Sequence, residues 1–122
     1  MKQKVHSVSY LAKAEFEFKN GVYDLVALPS GAEVIKVSLE VVGTPTAGSV
    51  SVGFKDESTT KGYFLTLENF ASANKTATSA KDYTATSNKV VAAEIKSAAS
   101  ATDTKGVLRV LYFLPSVIEV EY

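Results

Sequence analysis

The sequence predicts an all-β fold: a single antiparallel β-sandwich, jelly-roll-like, spanning residues 1–122. Three observations point there. Apolar and polar residues alternate with a period of two along most of the chain, the mark of strands with one face in a core. Clusters of Gly, Pro, Asn and Ser break that alternation about every ten residues, the turn spacing of sandwiches rather than of βαβ units. The hydrophobic fraction is 46%, enough for one packed core in a chain of this length. No internal repeat and no dividing linker is visible.

Each element follows from its own residues. "AKAEFEFKNG" sets Ala14, Phe16 and Phe18 against Lys13, Glu15, Glu17 and Lys19, a half-buried strand. Asn20-Gly21 then predicts a tight turn, with "VYDLVAL" returning as its hairpin partner. "LPSGAEV" is a corner, since Pro29 presets φ and Gly31 tolerates a left-handed position. In "EVIKVSLEVV", Ile35, Val37, Leu39 and Val41 are expected to face the core, and Lys36, Ser38 and Glu40 to face water. "GTPTAG" turns the chain and "SVSVGF" returns it with Val50, Val52 and Phe54 inward; Gly53 suggests a bulge or a close backbone contact.

"KDESTTKG" reads as a polar loop, and "YFLTLENF" as a strand with Tyr63, Leu65 and Leu67 on its core face. From Ala71 to Ser87 the chain is rich in Ala, Ser, Thr and Lys, so a long exposed loop is expected, with an edge strand near Tyr83. "NKVVAAEIKSA" resumes a strand. "VLRVLYFL" is almost wholly apolar and is expected at the centre of a sheet, buried on both faces, with Val107 and Leu111 in the core. Pro115 ends it, and "SVIEVEY" alternates to the last residue.

The chemistry-bearing residues are few. There is no Cys, hence no disulfide framework and no thiolate metal site. Thirteen basic residues balance thirteen acidic ones, and Arg109 is the one arginine. Nucleic-acid readers carry a basic excess and use Arg bidentately, so no nucleic-acid partner is expected. The start "MKQKVHSVSYLAKAEFE" has no continuous apolar block of a leader, and no run approaches the ~18 apolar residues of a membrane span. Neither a membrane partner nor export is expected.

His6 is the single histidine; Ser7 and Ser9 stand near it, but adjacency in a strand does not build a triad. The carboxylate pairs Asp56-Glu57 and Glu119/Glu121 read as a solvated turn and the wet face of a strand. No phosphate-binding glycine loop occurs. The six tyrosines are scattered and there is no Trp, which weighs against a sugar-stacking platform. The expectation is a protein that is not an enzyme, with no catalytic, cofactor-binding or metal-binding residues and no cofactor.

The stretch from Tyr23 to Phe70, together with Gly106 to Phe113, resembles a pattern of small virion proteins of tailed bacteriophages. An "LPxGAxV" corner leads into a strand of alternating Val and Leu. A small-residue turn, a "VxVG" strand and a "KGYF"-like loop follow, and a "G-x-hydrophobic-R-V" strand, here "GVLRV", closes the sheet. The resemblance implies a capsid decoration, or cement, protein. Such a protein acts without catalysis on the outer capsid surface of the virion, is assembled in the host cytoplasm, and binds across neighbouring subunits of the major capsid protein. Self-association is implied, a trimer before a dimer. The alternative is a fibre-tip, tail-associated or carbohydrate-binding sandwich, with recognition carried by the loop from Ala71 to Ser87.

Both chain ends have strand character, and residues 1–10 lack a hairpin partner of their own. An N-terminal arm over 1–10 and a C-terminal strand over 116–122 are therefore expected. Val5, Val8 and Tyr10 at one end, and Val117, Ile118, Val120 and Tyr122 at the other, are the candidate interface residues, because an open strand edge attracts another strand.

Overall fold

The computed structural model describes residues 2–43, 47–55, 62–68, 76–98, 104–115 and 117–121, the last of these by backbone. Eleven strands are present among them: β1 (Lys2–His6), β2 (Ser9–Glu17), β3 (Gly21–Leu28), β4 (Glu33–Val42), β5 (Ser49–Phe54), β6 (Leu65–Leu67), β7 (Thr76–Ser79), β8 (Tyr83–Thr84), β9 (Lys89–Lys96), β10 (Lys105–Phe113) and β11 (Val117–Glu121). One sheet has the order β2-β10-β4-β7, with β8 also on β4; the other has the order β3-β9-β5-β6. β1 and β11 form a separate two-stranded ribbon. Every pairing among these strands is antiparallel.

The two main sheets share one core, which makes the fold an antiparallel β-sandwich. Phe16, Val34, Val37, Leu39, Leu108 and Val110 come from one sheet, and Val26, Leu28, Val50, Val52, Val91 and Ile95 from the other. Burying a side chain of this size yields roughly 1.5–3 kcal/mol, so these residues carry most of the stability. No buried side-chain polar atom among the described residues lacks a hydrogen-bond partner.

The strand positions agree with the alternation, but several pairings differ from the expected ones. The Asn20-Gly21 turn does not close a hairpin: β2 pairs with β10 while β3 pairs with β9, so the turn carries the chain from one sheet to the other. The passage from β4 to β5 does the same. Alternation fixes which face of a strand is buried and says nothing about which strand lies beside it.

Ile35 is not a core residue. The β4–β10 register slips between Leu111 and Tyr112, with Leu111 opposite Lys36 and Tyr112 opposite Val34. Ile35 is the extra residue of that irregularity; it is 41% exposed while Val34 and Val37 on either side are buried. β10 has the opposite parity from that expected. Leu108, Val110 and Tyr112 enter the shared core, Val107 is buried outside it, and Arg109, Leu111 and Phe113 are half-buried on the outer face. A nearly uniform apolar run has no alternation from which to read its parity. Gly53 is buried and its register with Ala92 runs unbroken. The stretch from Ala71 to Ser87 contains the edge strand expected near Tyr83, as β8, and in addition β7 where loop was expected; both lie on the open side of β4.

The "LPSGAEV" corner is held by backbone pairing. Gly31 N donates to Ala85 O at 2.6 Å, and Ala85 N donates to Ala32 O at 2.9 Å. Gly31 has φ +89°, and a Cβ there would stand 2.8 Å from Cβ of Pro115. Only glycine satisfies both demands. The corner thus seats Pro115, the residue from which the chain leaves β10 for the ribbon.

Candidate assembly surface

The β1–β11 ribbon prolongs the β2–β10 pair beyond the sandwich. That pair ends with Phe113 opposite Ser9, and Leu114 N then donates to Val8 O at 2.8 Å. The ribbon resumes with His6 opposite Val117, Lys4 opposite Glu119 and Lys2 opposite Glu121. His6 sits at its base, where Nδ1 donates to the Leu114 carbonyl at 3.1 Å. The lone histidine is therefore a fastening of the ribbon to the sheet.

Around this base the surface is apolar. Val5, Val8 and Tyr10 are exposed, Leu11 is 62% exposed, and Ile35 stands out on its bulge. Leu11 lies opposite the half-buried Leu111 on the outer face. An open hollow of about 320 Å³ is lined by His6, Glu33, Ile35 and Phe113. Tyr10 stacks edge-on against Tyr112, ring centroids 5.9 Å apart, which holds the exposed ring in place. Tyr10 thus lies on the core-facing side of β2, while Leu11, Ile35 and Phe113 stand on the outer side, where exposed apolar side chains grouped at one end of a sheet are typical of interaction surfaces.

The candidate residues thus divide plainly. Val5 lies on β1, Val8 in the link to β2, and Tyr10 on β2. Val117, Ile118 and Val120 lie on β11, with Val117 opposite His6, Ile118 opposite Val5 and Val120 opposite Gln3. Tyr122 lies outside the described residues. The structure brings the two chain ends together, and it adds Leu11, Ile35 and Phe113, which alternation alone assigned to the core or left unmarked.

Elsewhere the polar groups serve the fold. Lys105 reaches Glu15 at 3.3 Å, Lys55 reaches Asp24 at 2.6 Å, and Arg109 reaches Glu40 at 3.4 Å. Exposed pairs of this kind are worth about 0–1 kcal/mol. The Lys19 ammonium is held above its usual pKa by the hydrogen bond it donates to Glu17 and by that carboxylate's charge, and it is fully exposed. Glu33 accepts from Thr84 Oγ1 at 2.7 Å. No group of three or more metal-ligating side chains occurs among the described residues. Asp56 and Glu57 lie outside them.

Four aromatic residues, Phe54, Tyr63, Phe64 and Tyr83, pack on one another with centroids 4.6–6.5 Å apart. Lys81 Nζ sits 3.8 Å over the Tyr63 ring. Their faces are spent largely on each other.

Comparison with known proteins gives the context. No family model and no curated protein matches the chain. Among solved structures, a chain from the acid-stable capsid structure of Helicobacter pylori bacteriophage KHP30 is 73% identical, with a TM-score of 0.91 and 100% of both chains covered. A chain from the capsid asymmetric unit of cyanophage Pam1 is 21% identical, with a TM-score of 0.64 over 88% of this chain and 85% of that one, which is a likeness of fold. A full-length match at that first level of identity shows the family: this chain belongs to a family of bacteriophage capsid-associated proteins and has a structural role in the virion.

Proposed function

We propose that the protein is a non-enzymatic cement protein, bound to the outer surface of the capsid across neighbouring subunits of the major capsid protein. The observation that carries this reading is the apolar outer surface at one end of the sandwich, where Leu11, Ile35 and Phe113 stand beside the base of the ribbon. In a protein whose relative is part of a capsid, that surface is suited to cover a junction between subunits, and its stickiness serves assembly. The order β2-β10-β4-β7 over β3-β9-β5-β6 is that of a jelly roll, an architecture of viral capsid and lectin domains. Residues 1–8 and 116–122 then act as arms of one sandwich domain, contacting their partner through Val5, Val8, Val117, Ile118, Val120 and Tyr122, with Tyr10 beside them in β2 of the sandwich itself. Zero net charge and a single arginine suit a site away from packaged DNA.

Two experiments test this. Particles freed of their tails should retain the protein on the heads; its departure with the tails would favour a fibre or tail-associated module instead. Deleting residues 1–7, and separately residues 116–122, should leave the thermal unfolding of the sandwich essentially unchanged while abolishing head binding. A truncated chain that unfolds would place that terminus in the core of the domain, and one that still binds heads would remove it from the contact.

A further inference from the structure

Charge is sorted along the outer face of the sheet formed by β2, β10 and β4. Nearest the ribbon, the register sets Leu11 beside Leu111, and Leu111 beside Lys36. In the next row Lys13 stands directly opposite Arg109. Further from the ribbon, Glu15 and Glu40 flank Val107. Cations and apolar side chains thus lie together at the ribbon end, and carboxylates lie beyond them.

Those carboxylates are already engaged. Lys105 holds Glu15 at 3.3 Å, Arg109 holds Glu40 at 3.4 Å, and Lys19 holds Glu17 at 3.0 Å. Lys13 and Lys36 are exposed, and neither has an ion-pair partner among the described residues. Like charges directly opposite each other on a sheet are destabilising, so the Lys13–Arg109 pair costs the isolated fold free energy. An anion brought to that row would relieve the repulsion and engage the free lysines.

The surroundings say what carries the anion. Leu11 is 62% exposed and Ile35 41% exposed, apolar area that a phosphate backbone cannot use. The next row, with Glu15 and Glu40, would repel a continuous run of phosphates, and the chain has no net positive charge. Carboxylates set among apolar side chains belong to a protein. We propose that this face receives an acidic segment of the capsid shell, whose carboxylates lie against Lys13, Arg109 and Lys36 while its apolar side chains meet Leu11, Leu111 and Ile35; this deepens the cement reading and rests on it.

Binding of the full-length protein to heads from which it has been removed, measured as salt is raised, tests the proposal. Wild-type binding should weaken with salt, because charges at an accessible contact are screened. Lys13→Glu and Lys36→Glu should each weaken it at least about tenfold. Lys19→Glu, at the far turn and fully exposed, should leave it unchanged, and Lys13→Arg, which keeps the charge, should bind as the wild type does. Glu40→Gln removes the carboxylate that holds Arg109 and should tighten binding about threefold, a gain that a merely structural role would not produce. Far-UV circular dichroism and light scattering should give each variant the wild-type sheet signature and mass; should Lys13→Glu lose that signature, Lys13→Gln reads the same contact with the same expected direction. Lysine variants that bind heads like the wild type, a loss of binding that comes with a changed mass of the free protein, or duplex DNA captured by the wild type and not by Lys13→Glu would each overturn the proposal and leave the cement reading standing. A wild type that binds heads at no salt concentration refutes the cement reading, and this inference with it.

Discussion

Replacing Leu39 by Ala should destabilise the protein by ~2–5 kcal/mol, the sum of lost transfer energy and a residual cavity. Leu39 is 1% exposed. It sits on β4 opposite Leu108 of β10 on one side and Ala77 of β7 on the other, within the core shared by both sheets. Neighbours held in two hydrogen-bonded ladders have little room to close the space. The matched control is Ile35→Ala on the same strand, which should change stability by no more than about 0.5 kcal/mol, as an exposed position does. Denaturant unfolding at a single protein concentration measures both. Equal losses would mean that the bulge is misplaced and that Ile35 belongs to the core.

Gly106→Ala should cost about 1–3 kcal/mol through overpacking, although it adds a single methyl group. Gly106 lies opposite Phe16 in the β10–β2 ladder, and the ring of Phe16 covers it. A Cβ at this position would stand 2.2 Å from Cζ of Phe16 and 2.6 and 2.7 Å from two further ring carbons. The ring is buried and packs on Tyr23 with centroids 5.6 Å apart, so the whole side chain has to move. The same geometry foretells rescue. In a double-mutant cycle, Gly106→Ala in a Phe16→Ala background should cost less than in the wild type, because the clashing ring is gone. Additive losses would show that the glycine is needed for some reason other than the ring above it.

These two residues also show what the sequence reveals and what it hides. Leu39 was readable because Val37, Leu39 and Val41 alternate with polar residues, and a period of two has one interpretation on a pleated strand. Ile35 belongs to the same alternation by sequence, and only the register with β10 exposes the slip that turns it outward. β10 has apolar residues on both faces, so its parity had to come from its neighbours. The edge strand expected near Tyr83 is β8, but β7 was hidden for a different reason: a strand on the open side of β4 can be built from Thr, Ala and Ser, whose small side chains bury little and give no hydrophobic signal. Hairpin logic failed at Asn20-Gly21 because the turn is local while strand pairing is not.

The assembly surface divides along the same line. Val5, Val8 and Tyr10 stood out as strand-forming residues without a hairpin partner, and so did the C-terminal alternation. That the two ends pair with each other, more than a hundred residues apart in sequence, is a matter of topology. Leu11, Ile35 and Phe113 become visible as surface only when β2, β10 and the bulge of β4 are set side by side. His6 drew attention as a titratable group, and its bond to the Leu114 carbonyl gives it a mechanical task.

The central claim is that the protein grips the shell from outside, and a cryo-EM map of the intact particle tests it most directly. The map should show this sandwich on the outer capsid surface over the junctions between major capsid subunits, with the ribbon end and the Leu11, Ile35 and Phe113 surface turned into the contact. Density for it on the inner surface, in the tail, or over the body of a single capsid subunit away from any junction would contradict the account.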